Sequence, residues 1–580
     1  MNAQILVSLC ARRGVDGAET PEGILQRVAS AVADVEERYG TPPAAVEGRR
    51  EQFVELMKTN RFWPAGRILN NAGTLQNQLA SCFVLPLEDD FRAVFETLAT
   101  AANCHRMGGG TGFDLSALRE EGDTIRTSEA SGACNPALWL GLFDVETKIV
   151  MAAGKRRGAN SATLSVYHPD ILSFVSAKSS GSLDTVTLAV RIDDAFMNAL
   201  TTGSEVTLRR PRTGAVARSV SALVIWDALI QAAWSTGEPG VVFEDRVNSD
   251  NVLRRARGRI LCANPCGEQL MYPFESSLLG SLNLRSFVDS TGCSIAWDTL
   301  EETVSLAVRF LDNALDVCDY PDGRIASASR ETRRIGLGVM GFADLLIALG
   351  IGYGSAESLA LVEELGSFIA KSALRASERL AGERGVFPSF TVSTLQVPRR
   401  HCAVTAIAPT GAISMIAECS PGIEPRYAPV YSKDVLEQTG IRYRDQELFA
   451  YIQGRYGLST EEVEAGILRH WPAFRSRFDV PAYFRYAHEV TPSEHIDVMA
   501  AWQKHVDNGV SKTVNLPRGA SRESVRQVFE LAWQRGCKGV TVYREGTANS
   551  DLLTIHVPAA DRVEMPHSAS REMKRSVLPE

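Results

Sequence analysis

The sequence contains no CxxC pair. Its eleven cysteines lie scattered at 10, 82, 104, 134, 262, 266, 293, 318, 402, 419 and 537. An odd, dispersed set argues against a disulfide framework and a structural zinc site, so no metal ligand set is expected. Most of these thiols read as small core residues in a reducing compartment. Positive charge is short as well: 61 lysines and arginines face 69 acids, a formal net charge of -8. A nucleic-acid partner, which selects a basic footprint, is not expected, and any anionic substrate has to be held by a local site. Long apolar runs are missing too, since nothing approaches the roughly 20 residues that span a bilayer. Arg12 and Arg13 follow the first apolar stretch instead of preceding it, the reverse of a secretory signal, which points to the cytoplasm. The glycine string at 108–112 is neither a GxGxxG entering a helix nor a Walker loop, and no repeat with a period of 20–50 residues is seen.

What is present is a chain of 580 residues, 45% hydrophobic and 22% charged, ordinary for a globular protein and too long for one small core. Thr20-Pro21-Glu22 supplies a cap, a first-turn proline and an early acid. Ile24, Val28, Val32, Val35 and Tyr39 follow at helical spacing, so residues 1–60 are expected to form a small N-terminal helical region. From about 62 to 430, short apolar runs such as 185–191 and 403–408 alternate with helical patterns at 300–317 and 355–382. That alternation predicts an α/β architecture. Residues 551–580 read as a polar C-terminal tail.

Four strings carry possible chemistry. In Asn264-Pro265-Cys266-Gly267-Glu268, a thiol, a carboxylate and an amide recur two residues apart, so an extended segment would present all three on one side. The thiol can carry a radical, the carboxylate can take a hydroxyl proton, and the amide can hold an oxygen. Gly108-Gly109-Gly110-Thr111-Gly112 suits close backbone approach to a ligand, and equally a plain turn. Ala408 to Ser414, with Pro409, Thr410, Gly411, Ala412 and Ile413 between, reads as strand, turn and helix start, an arrangement that can bind phosphate. The loop Lys155-Arg156-Arg157 between glycines is either an anion site or a solvated loop.

Together these strings resemble the large catalytic chain of ribonucleotide reductases, most closely the adenosylcobalamin-dependent class. NPCGEQ at 264–269 looks like the family's finger loop. SCFVL at 81–85, GGGTGF at 108–113, KRRGAN at 155–160, GEPGVVFEDRVN at 237–248, RRIGLGVMGFADLL at 333–346, APTGAIS at 408–414, HVDNGVSKTVNLP at 505–517 and GCKGVTVYREG at 536–546 follow in the family's order. The resemblance implies a ten-stranded α/β barrel of two half-barrels over 61–550, with a central finger loop. It implies that Cys266 is the thiyl radical site, Glu268 the acceptor of the 3'-hydroxyl proton, Asn264 a sugar contact and Cys82 a reducing thiol. Ser81, Gly110 and the 409–414 turn would hold substrate. Lys155, Arg156 and Arg157 would belong to the loops that bind a nucleotide effector. It further implies a ribonucleotide di- or triphosphate substrate, a homodimer, and adenosylcobalamin as cofactor, since only Tyr543 stands where diferric-type relatives carry a tyrosine pair and no cysteine follows Cys537 where glycyl-radical relatives have a metal site.

The chain departs from the pattern in one decisive place. The resemblance leads one to expect a second redox cysteine eleven residues after Cys266, and Ser277 stands there. The C-terminal CxxC shuttle common in the family is not in this sequence either. Four explanations stay open: another cysteine substitutes in space, an external reductant serves, the radical chemistry is redox-neutral, or nucleotide binds without turnover. Smaller departures are Pro64-Ala65-Gly66-Arg67, where many relatives carry Ser-Pro-Thr, and residues 127–141 in the effector region.

Overall fold

The computed structural model describes residues 1–11, 19–125, 128–150, 158–181, 183–289, 292, 294–435, 438–547 and 553–554. The chain divides into two compact units. The larger comprises Met1–Tyr427 with Ala482–Ser550, and the smaller is built on Ala428–Pro481. The expected tail from residue 555 onward and the loop Lys155-Arg156-Arg157 lie outside the described residues.

The N-terminal helices form where the cap pattern predicts. Helix α1 (Pro21–Ala33) starts at Thr20, whose hydroxyl accepts the Gly23 N–H at 3.1 Å, and buries Ile24, Val28 and Val32. Helix α2 (Pro43–Lys58) packs beside it. Tyr39, just after α1, pins this region to the rest of the larger unit. Its hydroxyl donates to Asp316 at 2.6 Å and accepts from Arg400 at 2.7 Å. Behind it the fully buried Asp312 accepts from Arg333 at 2.6 Å, Arg384 at 2.8 Å and His401 at 3.0 Å. Those cations hold its carboxyl well below the usual range, overcoming the penalty of burial.

The barrel is legible as a closed circuit of strand pairings. Strands β1 (Cys82–Val84), β2 (Gly110–Asp114), β3 (Asn160–Ser165), β4 (Val186–Ile192) and β5 (Gly240–Phe243) run parallel in that order. Helices α3 (Phe91–Arg106) and α4 (Pro136–Ile149) are crossovers of this half, which parallel pairing requires. In the second half, β6 (Ser276–Ser277) leads directly into β7 (Leu279–Asn283), which runs parallel to β8 (Gly336–Met340). Single parallel bridges join Leu337 to Thr405 and Ile407 to Val510, and β9 (Thr513–Leu516) runs parallel to β10 (Gly539–Arg544). The halves meet antiparallel at two seams, β5 with β10 and β6 with β1. Two parallel half-barrels thus close into one ring. The amphipathic helices α5 (Trp297–Val317) and α6 (Ala356–Arg384) pack against each other, α5 through the expected face of Leu300, Val304, Val308, Leu311 and Leu315. The apolar run at 403–408 joins the sheet through those bridges and the main-chain bonds around them, such as the Ile335 N–H to the Ala403 carbonyl at 3.2 Å.

Candidate active site

The NPCGE segment is a hairpin tip, not the extended stretch its two-residue spacing suggested. Cys262–Ala263 pairs antiparallel with Leu270–Met271. Between them the Gly267 N–H donates to the Asn264 carbonyl at 3.0 Å, and the Gln269 N–H to Asn264 Oδ1 at 2.9 Å. Pro265 has no N–H to give a ladder, and Gly267 takes a φ of 80°, so the chain turns here at little cost. The turn gathers the three side chains by a different route. Cys266 and Gly267 are exposed at the tip, with Asn264 and Glu268 buried on its two shoulders. Among the described residues, the Asn264 amide nitrogen and one Glu268 carboxylate oxygen lack a well-aligned hydrogen-bond partner, although the Asn264 side chain lies close enough to Glu268 to favour its charged form somewhat. Burial pushes the Glu268 carboxyl up to about 7, a value at which one group can both accept and return a proton.

Both half-barrels hold the hairpin. From the first, the Ser161 hydroxyl donates to the Ala263 carbonyl at 2.9 Å, and a side chain at Gly112 would collide with that same carbonyl. From the second, the Gly509 N–H donates to the Glu268 carbonyl at 2.8 Å, and a side chain there would strike the Gly267 carbonyl. The glycine string therefore serves the protein's own backbone. Gly108 and Gly109 close the end of α3 through the carbonyls of His105 and Cys104. At Gly110 an added Cβ would lie 3.1 Å from Pro265 and 3.4 Å from the Cys82 sulfur. That contact puts the Cys82 thiol beside the loop that carries Cys266.

The remaining strings border the same region. Ser81 enters through its main chain, its N–H donating to the Ser277 carbonyl at 2.9 Å. In the 408–414 turn Pro409 and Gly411 are exposed, Ala412 is half-buried, and Thr410, Ile413 and Ser414 are buried. Thr410 sits at a φ of 52°, uncommon for a branched residue, while its hydroxyl accepts the Gly422 N–H at 2.8 Å. That bond ties the turn to the Pro421–Pro425 segment, itself held where Glu424 accepts the Thr513 N–H at 2.9 Å. A Cβ on Gly66 would lie 4.0 Å from Ala412, and Arg67 donates to the Gly108 carbonyl. The Pro64–Arg67 departure thus touches both the turn and the glycine string. Asn508 and Gly509, though inside the family string at 505–517, were not singled out as contributors. The Asp-Asn-Gly triplet at 507–509 was their one local signal, and it reads as a turn.

Comparison with known proteins adds to this geometry. The family model for the ribonucleotide reductase barrel domain matches residues 80–399 and 396–543, and that for the all-alpha domain matches residues 1–77. The chain belongs to the ribonucleotide reductase family. A vitamin B12-dependent ribonucleoside-diphosphate reductase of Mycobacterium tuberculosis (strain CDC 1551 / Oshkosh) is 41% identical over 549 residues, 93% of this chain and 78% of that one. The enzyme of the same name from Thermoplasma acidophilum is 39% identical over 543 residues, 92% of this chain and 69% of its own. Among solved structures, the class Id ribonucleotide reductase alpha subunit of Actinobacillus ureae superposes with a TM-score of 0.77. It covers 94% of this chain and 96% of that one, at 20% identity.

Within this reductase fold, residue 277 lies where the departure from the family pattern matters most. Ser277 is the cross-strand partner of Cys82 in the β6–β1 seam, and its hydroxyl accepts the Cys82 N–H at 3.1 Å. The serine is buried and hydrogen-bonded there. It cannot form a disulfide. The redox-neutral and binding-only explanations are not favoured by the names of the relatives.

Proposed function

We propose that this chain reduces ribonucleoside diphosphates to 2'-deoxyribonucleotides, using adenosylcobalamin as its radical source. The observation that carries the reading is the hairpin tip, where an exposed thiol stands between two buried polar groups that lack a well-aligned partner. A buried donor and a buried acceptor left unpaired cost about 1–3 kcal/mol each, and a sugar bearing neighbouring hydroxyls can satisfy both. The residues also fit the cofactor: Cys266 is exposed, and the place where a Gly267 side chain would stand is open space, so a bulky group can reach the sulfur. Cys266 and Gly267 would face adenosylcobalamin, which would supply one-electron chemistry at the thiol.

The chain's own groups do the rest. The Cys266 sulfur removes the 3'-hydrogen of the ribose. The Glu268 carboxylate accepts the 3'-hydroxyl proton, which eases departure of the 2'-hydroxyl as water, and the Asn264 N–H holds a hydroxyl oxygen. Net reduction takes two electrons and two protons. Cys82, beside the loop, supplies one thiol hydrogen. With serine at 277, the second electron and proton come from an external dithiol, which ends in a mixed disulfide with Cys82, while the 2'-oxygen leaves as water and Cys266 returns its hydrogen to C3'. Ser81, Gly110 and residues 409–414 border the substrate, with the 409–414 turn receiving its phosphates.

The protein is read as a homodimer. Supporting this, α3 and α4 expose Phe91, Phe95, Leu138, Leu142, Val145 and Ile149, with Phe91, Phe95 and Trp139 in mutual ring contact. Monomers rarely leave so contiguous an apolar face in water. A nucleotide effector belongs to the same reading, at residues 155–157. No helix among the described residues is long and apolar enough to cross a membrane. A cytoplasmic location belongs to the same proposal.

The test is to incubate the protein with adenosylcobalamin, dithiothreitol and each ribonucleoside diphosphate, and to weigh the products. A 2'-deoxynucleotide is expected. A dehydrated or rearranged nucleotide, or no cobalamin-dependent product, would overturn the reading.

A further inference from the structure

The finger loop's tip is held by Gly509, so whatever holds Gly509 sets where Glu268 points. The preceding residue, Asn508, is fully buried and saturated with bonds. Its N–H donates to the Thr405 carbonyl at 3.0 Å, and its side-chain nitrogen to the carbonyls of Thr405 at 2.9 Å and Ile335 at 3.3 Å. Its side-chain oxygen accepts from Arg334 Nη1 at 2.9 Å. Arg334 Nε in turn donates to Glu275 at 3.1 Å, and the same Glu275 oxygen accepts the Tyr272 N–H at 2.8 Å. Tyr272 and Glu275 lie just beyond the returning strand of the hairpin, so the chain of contacts starts at the base of the finger and ends under its tip. All three polar residues are less than a tenth exposed. Arginine's planar fork is what allows one cation to hold a carboxylate and an amide at fixed angles.

We propose that Glu275, Arg334 and Asn508 are positioning residues for the reaction: together they clamp Gly509 against the Gly267–Glu268 backbone and so keep the Glu268 carboxylate dry and fixed beside the substrate sugar. The assignment of the reaction rests on the function proposed above; the clamp itself rests on the contacts just described. A clamp differs from a plain core ion pair in one measurable way. Glu268 is held near 7 by burial, so loosening the tip lets water reach it and lowers its pKa. The ionisable groups on the elements around it are Cys266 on the loop, Cys82 on β1, and Glu275, Arg334 and Asp507 on the supporting segments. The upward displacement of Glu268 comes from burial and from none of these charges.

The experiment uses the full chain and three variants. Asn508→Ala removes the link and leaves the ion pair. Gly509→Ala pushes the tip directly. Arg334→Gln/Glu275→Gln removes both charges together, which avoids stranding one of them in the core. Two quantities are read. One is the acid limb of kcat for diphosphate reduction. The other is the infrared titration of the protonated carboxyl band that a Glu268→Gln protein lacks, which needs no turnover. The expected result is kcat about 10- to 100-fold lower with KM little changed, and both titrations moved down by a unit or more. Variants that stay folded and lose activity while both titrations stay near 7 would show a structural role only and overturn the proposal, as would unchanged activity and titration. A lowered infrared titration in protein that makes no deoxynucleotide, even as wild type, would support the clamp and sink the reductase reading instead.

Discussion

Replacing Glu268 by glutamine should make the protein more stable and inactive at once, and the stability gain should exist only at high pH. Glutamine has nearly the shape of a protonated glutamate and carries no charge. In the folded chain the carboxyl is held at about 7 against an ordinary 4.5, because burial disfavours its charged form. Its folded pKa lies above its unfolded value. The native state therefore holds the proton more tightly, and its contribution to stability is full below 4.5, falls as pH climbs through 7, and is flat beyond. At about 1.4 kcal/mol per unit, the charge buried above pH 7 costs roughly 3 kcal/mol, which glutamine avoids. For a chain of this size that corresponds to a rise in melting temperature on the order of 2–3 °C. The assay is calorimetry of wild type and Glu268→Gln at pH about 5 and about 8.5. Melting temperatures should coincide at the acid end and separate at the alkaline end, with the variant higher. An equal offset at both pH values, or a variant that melts lower at high pH, would refute the reasoning that burial alone sets this carboxyl. Turnover should be lost at both, since an amide accepts no proton.

Other sites give equally direct expectations. Cys266→Ala should abolish deoxynucleotide formation while nucleotide affinity, measured by equilibrium dialysis, stays within about twofold, since the thiol makes no uniform binding contact. Ser277→Cys should form a disulfide with Cys82 under oxidising conditions, read by mass as the loss of two hydrogens. Cross-strand partners lie about 4.5–5.5 Å apart at Cα, inside the disulfide range, so no bond would mean the β6–β1 register is wrong. The same variant should raise dithiol-supported turnover if the second equivalent limits the rate. Arg67→Gln, which loses the bond to the Gly108 carbonyl in the segment bordering the 408–414 turn, should raise KM for the diphosphate with kcat nearly unchanged; an unchanged KM would separate this segment from the substrate. Asp312→Asn should destabilise the protein by about 3–5 kcal/mol in urea unfolding, because it removes the buried charge that Arg333, Arg384 and Arg400 share and leaves them only Asp316 and Glu36.

The sequence was most informative where one residue type has few uses. Thr20-Pro21-Glu22 marked the start of α1, and the periodicity of 300–317 marked the buried face of α5, because caps and helical faces depend only on neighbours a few positions away. The ring of strands was legible through family strings alone. No local pattern says that Cys82 pairs with Ser277, 195 positions later. The extended reading of 264–268 failed because period-two alternation was applied to a segment in which Pro265 and Gly267 favour a turn. The glycines at 110 and 112 were read as a turn or a ligand contact, and Gly509 was not singled out, because sequence does not reveal which backbone will pass within a few ångströms of them.

By itself the sequence determined the chemical inventory: a thiol, a carboxylate and an amide in one short string, with a serine eleven residues on. Their identities are covalent facts. Only the tertiary structure decided what the inventory becomes. Closing two half-barrels around the hairpin buries Glu268 and Asn264 and leaves Cys266 exposed. The same closure raises the Glu268 carboxyl to about 7 and sets Ser277 directly across from Cys82. Burial and register are properties of distant segments brought together, and no reading of neighbours along the chain can supply them.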